Sequence, residues 1–207
     1  MPLKNILDEF QNNAAQCERL VSNAHKQDGQ GTALFSIADQ QQITIAGFLN
    51  LFIAWETFLE SSVVELMLGR PTVNGSVPVK YVSPVDMESA RKLIVGVMKY
   101  FDYGNHSNFL KLIKLYFEGG YPFEPHLSSI YSYLDDLRTM RNSCAHISST
   151  TQIALEALAF RLFSISQPGI TIYQMLTAVD PKAQYGETIF SQYKTRLLVT
   201  AELIAKG

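Results

Sequence analysis

Six consecutive residues, Arg141-Asn142-Ser143-Cys144-Ala145-His146, place a guanidinium, an amide, a hydroxyl, a thiol and an imidazole within two helical turns. On a helix advancing about 100° per residue, Leu127, Ile130, Leu134 and Leu137 form an apolar stripe whose spacing continues to Arg141 and Cys144. A guanidinium at a core position needs a partner, because an unpaired buried charge is costly. His146 follows Arg141 by five residues, about 140° around the helix, on the polar face shared by Asp135, Thr139 and Asn142. Asn142 lies four residues before His146, close enough on that face to orient the imidazole by a hydrogen bond. On spacing alone a bland arrangement stays open: Arg141 paired with an acid on another helix, and His146 solvated. Cys144 reads as a small buried residue and not a nucleophile. Tyr131 and Tyr133 read as packing residues more than as platforms for stacked bases.

Other chemistries lack their anchors. The chain has no glycine-rich phosphate loop, no CxxC pair, no HExxH and no GxSxG elbow. His25, His106, His126 and His146 are scattered, so neither a metal site nor a cofactor is expected.

The elements that must hold the segment are helical. Leu3, Ile6, Leu7, Phe10, Ala14, Cys17, Val21 and Ala24 recur at helical spacing, and Gln27 to Gly31 ends that first helix. A second long helix is predicted from about Asp39 to Leu68, stopped by Gly69 and Pro71. Residues 71–84, with three prolines and an Asn74-Gly75 pair, read as an irregular insert. A third helix is expected from Ala90 through Phe101 and a fourth from Phe109 to Phe117. A fifth is expected from about Glu124 to Ile147, carrying the Arg141 segment. Ser149 and Gln152 have the spacing of a capping box for a helix running to about Ile165, and Ile189 to Ile204 marks a last helix. The expected fold is all-α.

With 47% hydrophobic and 17% charged residues, the 207-residue chain can build a core, and disorder is not expected. A formal net charge of −2 gives no bulk basic character, so RNA contact would need a local patch or an assembled oligomer. Cys17 and Cys144 lie far apart and are expected as free thiols in a reducing compartment. The acidic opening MPLKNILDEFQ does not resemble a secretory leader. The apolar run Ile43 to Leu59, broken by Asn50, Glu56 and Thr57, is too short and polar for a bilayer span of roughly 20 apolar residues. A cytoplasmic chain without membrane contact is the expectation.

Arg141-Asn142-Ser143-Cys144-Ala145-His146 resembles the Rx4-6H signature of the HEPN superfamily, with Asn142 at its polar second position. The helix holding Trp55-Glu56-Thr57-Phe58-Leu59-Glu60 is similar to the RiboL-PSP-HEPN branch, where a tryptophan–acid pair occurs on the second long helix. The resemblance is strongest over residues 43–163, with 1–30 and 186–206 as flanking helices, and implies a single HEPN-like antiparallel bundle over 1–207. It further implies a metal-independent endoribonuclease of toxin or defence type, working as a homodimer with two Arg–His motifs meeting at a twofold axis. RNA would be the substrate, and an antitoxin or regulatory protein a partner. In that frame His146 transfers protons, Arg141 stabilises the phosphate and Asn142 orients or contacts it. Glu56 lines the cleft or neutralises Arg141, with a solvated helix acid as the other reading. The alternative function is a non-catalytic HEPN module for protein–protein or nucleotide binding, and a third is a helical adaptor carrying the motif by chance.

Overall fold

Apolar residues spaced three and four apart build the computed structural model mostly from helix, and it describes residues 2–145 and 148–207. The fold is all-α as expected: among the described residues there is no strand, only isolated bridges such as Lys80 with Phe117.

The two long helices are α1 (Pro2–Ala24) and α2 (Ile37–Met67). Asp28 shapes the link between them, its Oδ1 accepting from the backbone N–H of Gln30 at 2.8 Å and of Thr32 at 2.9 Å. Gly69 closes α2 with a φ of 78°. Its N–H donates to Leu66 O and that of Arg70 to Glu65 O, the paired bonds by which a left-handed residue satisfies the last carbonyls of a helix. The apolar run Ile43 to Leu59 thus belongs to a 31-residue helix that is, by length and composition alone, long enough to cross a membrane. Half of its most apolar stretch is buried inside the protein.

Residues 71–84 are irregular, as their prolines and glycine imply, and Lys80 is pinned by its ammonium donating to Met67 O at 2.8 Å. α3 (Met87–Val95) is capped by Asp86, which accepts from Ser89 N at 2.7 Å. It is shorter than the spacing suggests: Gly96 takes a φ of 59° and ends it, so Met98 and Phe101 lie outside the helix. α4 (His106–Tyr116) follows an Asn105 cap.

The expected helix from Glu124 to Ile147 is two helices, α5 (Phe123–Ser129) and α6 (Tyr131–Ala145), broken at Ile130 with φ −115° and ψ 19°. No glycine or proline marks the break. A serine side chain lies there instead: Ser129 Oγ donates to His126 O at 2.7 Å, a local bond that competes with helix continuation. α7 (Ser149–Phe163) has its capping box one residue earlier than expected, between Ser148 and Thr151. Gln152 instead donates to Glu156 and to Ile170 O. α8 (Ile172–Thr177), unforeseen from apolar spacing, carries its own box between Thr171 and Gln174, and α9 (Ile189–Lys206) closes the chain.

The chain divides into two compact units. The first comprises residues 1–11, 54–134 and 197–207. Its core is aromatic: Phe10 lies 5.8 Å from Trp55 and 5.4 Å from Phe58, and Phe109 meets Phe123 edge-on at 5.6 Å. Trp55 is fully buried, and its indole donates to His106 Nε2 at 3.2 Å, so neither polar ring is left unsatisfied.

The second unit comprises residues 12–53 and 135–196. Its buried faces include Cys17, Phe48, Leu137, Met140, Leu155, Leu158, Met175 and Phe190. Gly47 lets α1 and α2 approach closely there, since a Cβ would sit 2.8 Å from Val21 Cγ2 and 3.5 Å from Cys17 O. Valine is stiff about χ1 and cannot swing clear. Gly47→Leu is therefore expected to destabilise the protein by about 1–3 kcal/mol despite leucine's better helix propensity. A fall in the urea midpoint at unchanged slope would report it.

Candidate active site

The break at Ile130 leaves Leu134 and Leu137 of the expected stripe on α6. Counted from the start of α6, the buried stripe is Leu134, Leu137 and Met140, all at or below 1% exposure. The core position after Leu137 is filled three residues on by Met140, not four residues on by Arg141. Arg141 sits half-buried at the stripe's flank, which corrects the sequence expectation of an arginine in the core.

The buried charge on α6 is Asp136, one turn earlier. Its carboxylate forms a close ion pair with Arg161 of α7, and its Oδ2 accepts from Tyr193 Oη of α9 at 2.7 Å. That three-way contact holds the carboxyl-terminal part of α6 against two other helices. Apolar spacing gives no hint of it, because the pattern treats an aspartate as a solvent-facing residue.

Beyond Asp136 the polar residues lead to the end of the helix. Ser143 Oγ donates to Thr139 O at 3.0 Å and reaches Thr151 O at 3.4 Å, tying the last turn of α6 to the first turn of α7. Arg141 Nη1 donates to Asn142 Oδ1 at 3.3 Å. Within the second unit no described carboxylate forms an ion pair with Arg141, so the expectation of an acid partner finds no support there. The guanidinium and amide are thus joined, half-exposed and able to face an anion. His146, the third member of the set, lies outside the described residues, as does Ile147. Glu56 is half-buried on α2 and belongs to the first unit, whereas Arg141 and Asn142 belong to the second. Tyr131 is 43% exposed at the start of α6 and Tyr133 is half-buried.

Cys144 is half-buried beside these residues and is a free thiol, as is the buried Cys17. Burial pushes the Cys144 thiol up to about 12, with the Arg141 cation pulling weakly the other way. The thiolate is the nucleophile, so a raised thiol pKa disfavours reactivity at neutral pH, and Cys144 is partly exposed where the sequence expectation is burial. The neutral thiol favours the folded state: that contribution is complete below a thiol's ordinary value of 9.0 and is lost as pH rises toward 12. Iodoacetamide at pH 8 is expected to modify Cys144 about a hundredfold more slowly in the folded protein than in guanidinium, read peptide by peptide by mass spectrometry.

Among the described residues no group of three His, Cys, Asp or Glu side chains could hold a metal ion. No family model matches the chain, and neither the curated proteins nor the solved structures yield a match.

Proposed function

We propose that the protein is a metal-independent endoribonuclease of HEPN type, with Arg141, Asn142 and His146 as its working residues. The observation that carries this reading is the Arg141–Asn142 pair: a guanidinium half-buried at the end of α6, hydrogen-bonded to its neighbouring amide and unclaimed by any described carboxylate of its unit. A guanidinium held so is a fork of N–H donors that matches the oxygens of a phosphodiester.

The chemistry follows from the substrate. The RNA 2′-hydroxyl is an internal nucleophile. One imidazole accepts its proton as the 2′-oxygen bonds to phosphorus, and a second, protonated imidazole donates to the departing 5′-oxygen. A cyclic phosphate and a 5′-hydroxyl result, with no redox change and no external co-reactant. Arg141 stabilises the charge growing on the non-bridging oxygens, and Asn142 holds the guanidinium or contacts the same phosphate. Separate acid and base roles need two imidazoles, while this segment supplies one. A twofold dimer supplies His146 twice and brings two Arg141 cations together, giving the local positive charge that a net −2 chain lacks. A toxin or defence role, restrained by a regulatory partner protein, fits an RNase of this kind.

The test is cleavage of single-stranded RNA by the wild-type protein with and without EDTA. Cyclic-phosphate products at the same rate in both are expected. Hydrolysis that EDTA abolishes would overturn the proposal.

A further inference from the structure

The first unit contains a cavity of about 470 Å³ between residues 98–102, which follow α3, and the outer face of α4. Its walls include Met98, Phe101, Leu112 and Leu115. Met98 is 65% and Leu115 68% exposed, and Tyr100, also in the wall, is 71% exposed. So much large apolar surface around one concavity marks a binding site more often than an idle surface.

The wall is built in advance. Phe101 meets Tyr103 edge-on at 5.0 Å, and both rings pack on Phe109 of the first unit's aromatic core, at 6.5 and 6.0 Å. Asp102 closes the turn behind them, its Oδ1 accepting from Gly104 N at 3.0 Å and its carbonyl from Asn105 N. A ligand entering therefore need not order this loop, which lowers the entropic cost of binding.

Two cations edge the apolar floor, Lys99 and Lys111. Neighbouring basic residues are neutralised: Arg91 pairs with Glu60, Lys92 with Glu88 and Lys114 with Glu124. Among the described residues Lys99 and Lys111 form no ion pair. The one carboxylate in the lining, Asp102, has an oxygen committed to its own turn.

From the apolar floor, the two uncommitted ammonium groups and the pre-packed wall, we infer that this cavity binds a small amphipathic anion. The ligand has an aliphatic or aryl body lying on Met98, Phe101, Leu112 and Leu115, and a single carboxylate or comparable acid between Lys99 and Lys111. The volume falls in the range of ordinary small-molecule sites, about 300–1,000 Å³. The inference does not depend on the ribonuclease reading.

The probe is decanoate, titrated calorimetrically into the full chain, with decanol as the neutral control. One-to-one saturable binding of decanoate, at least tenfold tighter than decanol, is expected. Lys99→Gln/Lys111→Gln should remove that preference, since both side chains are exposed and dispensable for folding. Leu115→Asp, on an exposed helix face, should weaken both ligands about tenfold or more. No binding of decanoate, equal binding of decanol, or unchanged decanoate binding in the double lysine variant would each overturn the inference.

Discussion

His146→Ala is expected to lower the rate of RNA cleavage by about 10²–10⁴-fold, the range a positioned proton carrier contributes. Arg141→Ala should cost about 10²–10³-fold through lost stabilisation of the phosphorane charge. Arg141→Ala should keep the wild-type unfolding free energy within about 0.5 kcal/mol, because Arg141 is half-buried and forms no ion pair within its unit. A sharper form separates a composite dimeric site from two independent ones. If each reaction uses both imidazoles of a dimer, mixing wild type with His146→Ala under subunit exchange makes activity fall as the square of the wild-type fraction. Independent sites give a linear fall. Cleavage that persists in His146→Ala with an identical product pattern would remove the imidazole from the mechanism altogether. The pH profile adds a further check: a general acid and a general base of the same residue type give a bell centred near an imidazole's ordinary pKa, about 6.5.

What the sequence made legible was set by the kind of force each element depends on. Long amphipathic stretches such as Leu3 to Ala24 appear as α1 within a residue, because burial of one face is recorded directly in the spacing of apolar side chains. Gly69 likewise ends α2 where a left-handed residue is needed. The misreadings lie where a local hydrogen bond overrides that spacing. Ser129 sits at the division of α5 from α6 with no glycine or proline to announce it. Spacing alone puts Arg141 one position too deep, because steps of three and four after Leu137 offer both Met140 and Arg141, and the core takes the apolar Met140. Gly96 stops α3 although Met98 and Phe101 continue its apolar period. α8 is short, six residues, and its signal was the Thr171–Gln174 box and not periodicity. In the candidate site, the pairing of Arg141 with Asn142 connects adjacent residues, which no face-of-helix argument would bring together. The contact that fixes the end of α6 runs from Asp136 to Arg161 and Tyr193, 25 and 57 residues away, and nothing in a single sequence marks such partners.

That contact carries the second large effect. Asp136→Ala is expected to destabilise the protein by about 3 kcal/mol. The carboxylate is 9% exposed and accepts from two donors of unequal standing. Arg161 is 50% exposed, so its guanidinium rehydrates when the carboxylate is removed and its share is small. Tyr193 is 2% exposed, so its hydroxyl loses a buried carboxylate acceptor, which costs about 1–3 kcal/mol, and the cavity adds to it. The ranking of three variants tests this division. Arg161→Gln should cost under about 1 kcal/mol, Tyr193→Phe about 1–2, and Asp136→Ala the most. The double variant Asp136→Ala/Tyr193→Phe should recover part of the loss, since it removes the hydroxyl that lost the Asp136 acceptor. Arg141 lies five residues beyond Asp136 on the same helix, so a shift of α6 at Asp136 is expected to reach it. Asp136→Asn retains an acceptor for Tyr193, so it should unfold later than Asp136→Ala yet still cleave RNA more slowly than wild type under fully folded conditions. Wild-type cleavage by folded Asp136→Asn would show that the Asp136 charge does not position Arg141, even where it contributes to stability.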